Sequence, residues 1–178
     1  MIELKDISSD IDLEKFNIDL LQKSFPKEEY RDLNVLKQYI QNKSIFYPKT
    51  ILLDKKPIGI FHYWQLEEYF YIEHFAISSE HRNKGLGEAC LSHIQQTILN
   101  NKTIVLEVEI PNSKIAIRRI NFYKRLGFHL MDFEYYQPPY KKDYNQIEMK
   151  LMINKQIDKI HILNKIRNLM YLNIYNTH

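Results

Sequence analysis

One short stretch, Arg82-Asn83-Lys84-Gly85-Leu86-Gly87, brings two glycines together with two cationic side chains. A helix starting there would present unpaired N–H groups and a partial positive charge at its first turn. Glycines at that point let a pyrophosphate reach the backbone, and Arg82 and Lys84 add charge at the same mouth. The glycines are conspicuous because the 178-residue chain has only four: Gly59, Gly85, Gly87 and Gly127. Roughly 7% glycine is usual, or about twelve in a chain of this length. A second candidate lies just upstream. Glu73 sits inside the aromatic and β-branched run Tyr69-Phe70-Tyr71-Ile72-Glu73-His74-Phe75. A carboxylate there is expected to be partly desolvated, which raises its pKa and suits a general base. His74 is expected on the opposite strand face, as a satisfied core histidine.

Other chemistries fit less well. A dinucleotide fingerprint needs a third glycine at position 90, where Cys90 stands, and should follow the first strand of its domain. The Gly-x-x-x-x-Gly-Lys-Ser/Thr loop of nucleotide hydrolases is absent. His62 and His81 show no metal-ligand spacing, so no metal site is expected. The lone Cys90 reads as a small buried hydrophobe rather than a nucleophile. Hydrophobic residues make up 44% and charged residues 26% of the chain, which excludes a disordered or low-complexity protein. No apolar run reaches the ~18 to 20 residues of a membrane span, and the charged start Met1–Asp6 is unlike a signal peptide. A cytoplasmic location is therefore expected. The net charge of +3 resides in residues 154–178, so the main domain carries no electrostatic signature for nucleic acid.

The elements that would position these residues follow from periodicity. Ile2–Ile7 alternates as a strand, and a helix capped by Asp10 or Asp12 runs to Ser24. A second helix is expected over about Glu28–Gln41. Strands follow at Thr50–Leu53 (after Pro48), Ile58–Leu66 and Tyr69–Ile77. Next come a helix over Gly85–Leu99, a strand over Thr103–Ile110, and a helix over Lys114–Leu126 closed by Gly127. Phe128–Tyr136 and Gln146–Ile153 read as the last strands, and 156–175 as a helix. Antiparallel meanders mixed with strand–helix–strand units give an α/β class with a mixed sheet. Residues 1–153 form the expected domain and 154–178 an appended helical extension.

With Phe75-Ala76-Ile77-Ser78 upstream and Phe122-Tyr123-Lys124-Arg125-Leu126-Gly127-Phe128 downstream, the glycine stretch resembles the GNAT superfamily of N-acetyltransferases over about residues 1–153. The shared pattern is Arg/Gln-x-x-Gly-x-Gly/Ala between a central strand and a helix, then a later helix ending in Tyr…Gly-Phe. The resemblance implies a mostly antiparallel mixed sheet, flanked by helices and splayed between its fourth and fifth strands, with acetyl-CoA wedged into the opening. Phe75, Ala76 and Ile77 would pair with the pantetheine arm. Arg82, Asn83, Lys84, Gly85, Leu86, Gly87 and Glu88 would hold the pyrophosphate, and Asn112 would touch the cofactor arm. Tyr123 matches the general acid that protonates the sulfur. The family's best-known catalytic carboxylate falls at Tyr71, two residues before Glu73, on the same strand face.

The resemblance also implies an acceptor site built from the first two helices, the third and fourth strands and the last hairpin. Phe25, Glu29, Tyr63 and Tyr136 are its candidates, an aromatic and acidic wall suited to a cationic amine. The acceptor stays open between a small amine, a polyamine and a protein amine. The tail residues Ile157, Ile160, Leu163, Ile166, Met170 and Ile174 make an amphipathic helix that could dock on its own domain or on a second subunit of a homodimer. The expected activity is acetyl transfer from acetyl-CoA to a primary amine. The alternative is a catalytically silent acyl-CoA-binding regulatory module.

Overall fold

The computed structural model describes residues 1–42 and 44–176. Strand β1 (Ile2–Asp6) leads into α1 (Ile11–Ser24), which starts where the Asp10 carboxylate accepts the Leu13 N–H. A short 3₁₀ turn at Lys27–Glu29 precedes α2 (Leu33–Asn42). Then come β2 (Phe46–Leu53), β3 (Lys56–Leu66), β4 (Tyr69–Ile77), α3 (Leu86–Gln96) and β5 (Thr103–Glu109). Helix α4 (Lys114–Arg125) is capped by Ser113, whose hydroxyl accepts the Ala116 N–H. The chain closes with β6 (His129–Leu130), β7 (Tyr135–Gln137), β8 (Ile147–Ile153), α5 (Ile160–Met170) and a π-helical turn, Tyr171–Tyr175.

The sheet order is β1-β2-β3-β4-β5-β8, with β6 and β7 both on the far edge of β8. Every pairing is antiparallel except β4–β5, which the α3 crossover makes parallel. The expected α/β class and mixed sheet are therefore present. That parallel ladder holds Tyr69–Ile72 against Thr103–Leu106 and then stops, although both strands continue. Beyond Ile72 and Leu106 the sheet is split. Helices cover both faces. The core on one face takes Leu20 and Leu21 from α1, Leu36 and Ile40 from α2, and Leu163, Ile166 and Met170 from α5. The other face takes Cys90, Leu91 and Ile94 from α3 and Ile120 and Tyr123 from α4.

Three local departures from the periodicity have physical causes. Pro48 lies inside β2, where β1 has already ended opposite Lys49, so its missing N–H breaks no ladder on that side. The expected helix over 28–41 begins only at Leu33, because Tyr30 and Arg31 turn inward and are buried. The expected strand over 128–136 is broken into β6 and β7. The tail helix packs on its own chain, with Ile174 and Tyr175 both buried in the core it shares with α1 and α2.

Gly59 has a packing reason of its own. A Cβ there would meet the Ala76 carbonyl oxygen of β4 at 2.6 Å. Gly59→Ala should therefore destabilise the protein by about 1–3 kcal/mol through forced strand displacement. Chemical denaturation measures this, and a change of only a few tenths would contradict the close approach.

Candidate active site

The split sheet opens into a cavity of about 640 Å³ that carries lining residues from both faces. At one end stands the N-terminus of α3. Asn83 and Gly85 are both left-handed, at φ 60° and +74°, and this turns the chain sharply into the helix. Gly85 is the helix cap and brings no side chain, while its carbonyl accepts the Ala89 N–H. The N–H groups of Leu86, Gly87 and Glu88 thus begin the helix without intrahelical partners. Nothing lies within 3.8 Å of where a Gly87 Cβ would be, so protein packing does not require glycine there. A Cβ at Gly87 would sit in ordinary contact, at 3.8 Å, with Ile77 and Phe122 of the cavity wall.

Positive charge surrounds this end. Arg82 is anchored, donating from Nε to the Ile77 carbonyl oxygen at 2.7 Å and from Nη2 to Ser24 Oγ at 3.2 Å. Arg118 donates to Asn83 Oδ1 at 3.2 Å, and Arg118, Arg119 and Arg125 all line the cavity from α4. Phe75 and Phe122 stack at 6.4 Å between the two elements. Tyr123 lines the wall, and burial pushes its phenol up to about 12, so it stays protonated at neutral pH.

The other end lies across the sheet, on the α1/α2/α5 side. A β-bulge decides what points there. His62 pairs with His74 and Tyr63 with Ile72, which leaves Glu73 as the extra residue on β4. The alternation slips by one, so Glu73 and His74 face the same side. This overturns the expectation of opposite faces. His74 packs edge-on against Phe25 at 4.8 Å and donates from Nε2 to the Glu29 carbonyl oxygen at 3.0 Å.

The electrostatics of Glu73 also reverse expectation. Burial, the largest single influence, raises its pKa, but the Arg31 charge, the neighbouring His74 and hydrogen bonds from Arg31 and Trp64 together outweigh it and bring the carboxyl down to about 2. Arg31 donates to both carboxylate oxygens, at 2.6 and 3.1 Å, while Trp64 Nε1 and the Tyr140 hydroxyl donate at 2.9 Å each. The side chains of Arg31 and Glu73 are 4% and 0% exposed, so the carboxylate is closed off and fixed in its ionised form. Arg31 itself is caged by Tyr39, Trp64 and Tyr140, with ring centroids 4.9 to 5.2 Å away.

A second carboxylate, Glu107 on β5, sits just past the end of the parallel ladder and lines the cavity. Burial raises its pKa to about 7, against the pull of hydrogen bonds from Tyr135, Tyr71 and Tyr175. Tyr71 donates at 2.7 Å and Tyr175 at 2.9 and 3.0 Å, and Tyr135 donates to Oε1. Among the described residues no cation pairs with Glu107. Glu29, also on the wall, is raised by burial and by the nearby charge of Glu109.

The cavity brings together Phe25, Glu29, Glu73, Phe75, Ala76, Ile77, Arg82, Asn83, Gly85, Leu86, Gly87, Glu88 and Tyr123 from the sequence-based candidates. Four others lie outside its lining. Lys84 turns away to the Glu80 carbonyl oxygen at 2.9 Å. Asn112 is exposed in the loop before α4. Tyr63 faces the α3/α4 side and stacks on Tyr47 at 4.9 Å. Tyr136 sits on β7 opposite Glu148, between the buried Tyr135 and Gln137, and its carbonyl accepts from the Tyr171 hydroxyl. The residues missed are Glu107 and the α4 arginines, while Tyr71 entered only as the position of the family's carboxylate. Only the arginines left a signal, as a basic spacing of Arg118, Arg119 and Arg125 on a helix facing the glycine turn.

Residues 11–128 match the model of the acetyltransferase (GNAT) family. A GNAT-family protein of Bacteroides thetaiotaomicron is 39% identical, aligns over 99% of both chains and superposes with a TM-score of 0.93. The ribosomal-protein-S18-alanine N-acetyltransferase from Escherichia coli shares the fold at 17% identity and a TM-score of 0.59, over 86% of this chain and 92% of its own. A GNAT family acetyltransferase from Elizabethkingia anophelis, solved with acetyl-CoA bound, shares it at 16% identity and 0.58, over 86% of this chain and 95% of its own. No curated protein matches. With the family pattern matched from 11 to 128 and a 39% identical relative aligned along the whole chain, this protein belongs to the GNAT acetyltransferase family.

Proposed function

We propose that the protein is an acetyl-CoA-dependent N-acetyltransferase that moves the acetyl group directly to a primary amine while both substrates occupy the cleft. The observation that carries this reading is the passage through the split sheet. An open N–H cradle with four arginines stands at the α3/α4 face, and carboxylates and phenols stand at the other. Two substrates can meet there from opposite sides with no covalent enzyme intermediate. Cys90, the one thiol, is fully buried and raised by burial to about 11, which disqualifies it as a nucleophile.

Acetyl-CoA, when bound, supplies the acetyl thioester. The N–H groups of Leu86, Gly87 and Glu88 would hold its pyrophosphate, with Arg82, Arg118 and Arg125 neutralising phosphate charge. The β4 edge from Glu73 to Ile77 no longer pairs with β5, so its backbone groups are free to bond the amides of the pantetheine arm. Tyr123 would protonate the departing sulfur. Phe25 and Glu29 would flank the incoming amine. Glu73 serves this site as a fixed anion that holds Arg31 and Tyr140, a positioning role rather than the proton-accepting one expected from its apolar strand.

Acetyl-CoA should raise the melting temperature. At a concentration 100 times its Kd the stabilisation is about 2.7 kcal/mol. No shift at millimolar acetyl-CoA would sink the assignment.

A further inference from the structure

An amine held as an ammonium must lose a proton before it can attack, and the ion pair that holds Glu73 ionised makes it a poor proton acceptor. The second carboxylate of the cleft meets the requirements. Glu107 stands where the β4–β5 ladder ends, on the acceptor side of the split, and lines the cavity. Its two oxygens offer about four acceptor sites. The phenols of Tyr71, Tyr135 and Tyr175 use three, counting one each, which leaves one direction for an incoming N–H.

The third phenol has an unusual origin. Tyr175 comes from the C-terminal tail, 68 residues beyond Glu107. The π-helical turn Tyr171–Tyr175 ends α5 and carries Ile174 and Tyr175, both buried. Its hydroxyl lies 3.3 Å from that of Tyr71 and 3.5 Å from that of Tyr140, joining β4, β5, the β7–β8 loop and the tail in one cluster.

Resting on the N-acetyltransferase reading, we propose that Glu107 takes the proton from the acceptor amine, and that Tyr175, delivered by the tail, is the positioning residue that sets its carboxylate for that task. In the balanced step, Glu107 accepts one proton from the ammonium. The freed nitrogen lone pair forms the C–N bond as the C–S bond breaks, and Tyr123 gives its proton to the sulfur. The nitrogen's second proton leaves to restore Tyr123. Glu107 returns its own to solvent, so one proton is released per acetyl transferred. The charged and titratable groups facing Glu107 are Tyr71 and Glu73 from β4, Tyr135 from β7, Tyr140 from the β7–β8 loop, and Tyr171 and Tyr175 from the tail. Arg31 lies behind Glu73, whose charge offsets it. Burial dominates and places the carboxyl at about 7, a value matched to neutral-pH catalysis.

The test is the pH dependence of kcat/KM, read as CoA thiol released from acetyl-CoA with the best acceptor in a panel of small primary amines. In the wild type the rate should rise with pH and level off above about 7. Glu107→Gln should lower it by about 10²–10⁴-fold and abolish that rise. Tyr175→Phe removes a hydrogen bond that favours the ionised form, so the rise should persist but move to higher pH. Both variants should keep the acetyl-CoA thermal shift. A Glu107→Gln enzyme with the wild-type rise, or a Tyr175→Phe profile that scales down without moving, overturns the inference. Failure of the wild type to bind acetyl-CoA would instead overturn the acetyltransferase reading beneath it.

Discussion

Arg31→Met should destabilise the protein by about 3–5 kcal/mol, because it strands a buried carboxylate. Glu73 is closed to solvent, and Arg31 supplies both the charge and two of its four hydrogen bonds. Trp64 and Tyr140 can still donate, but neither neutralises the charge. The pH dependence has a definite sign. A carboxyl lowered from 4.5 to about 2 on folding contributes stability that is present above the ordinary value and is lost as pH falls from about 4.5 towards 2. In Arg31→Met that acid-side loss should shrink, since the folded carboxyl no longer titrates below the unfolded one. Adding Glu73→Gln should recover part of the stability, as a neutral amide costs less to bury than an unpaired anion. Urea unfolding of the two variants across pH measures all three effects. A single variant within 1 kcal/mol of wild type would mean the ion pair is not what fixes β4 at the split.

Tyr123→Phe should lower kcat by about 10²–10⁴-fold while leaving acetyl-CoA binding intact. The side chain is part of the α3/α4 core, so the ring must remain, and phenylalanine keeps it. What is lost is the proton. Burial raises the phenol to about 12, so its own ionisation should leave no descending limb in the neutral range. Rapid-quench measurement of acetyl transfer isolates the chemical step from product release. A kcat within threefold of wild type would remove Tyr123 from the reaction.

Much of the cradle was legible from residue type, because backbone geometry constrains sequence strongly there. Gly85 is left-handed and caps α3, and Gly87 stands open to the cleft. The strand and helix order followed from periodicity, and the split between β4 and β5 from the family resemblance. The acceptor end was not legible, since it is assembled from distant parts. Arg31 and Glu73 are 42 residues apart, and Tyr135 and Glu107 are 28 apart. Glu107 sits between Leu106 and Val108 and reads as an ordinary polar strand position. The bulge that turns Glu73 and His74 to one side depends on β3–β4 register, which alternation along one strand does not reveal. The tail's apolar spacing was visible, but the π-helical last turn that carries the buried Tyr175 was not.

The central claim is that acetyl passes through the split sheet to an amine, and product balance tests it most directly. Purified protein is mixed with acetyl-CoA and a panel of small primary amines, polyamines and peptides. Free CoA thiol is followed by absorbance and the acetylated amine by mass spectrometry. The predicted result is equal amounts of thiol and acetylated amine with at least one acceptor. Binding of acetyl-CoA without either product for any acceptor would contradict it and favour the silent acyl-CoA-binding module.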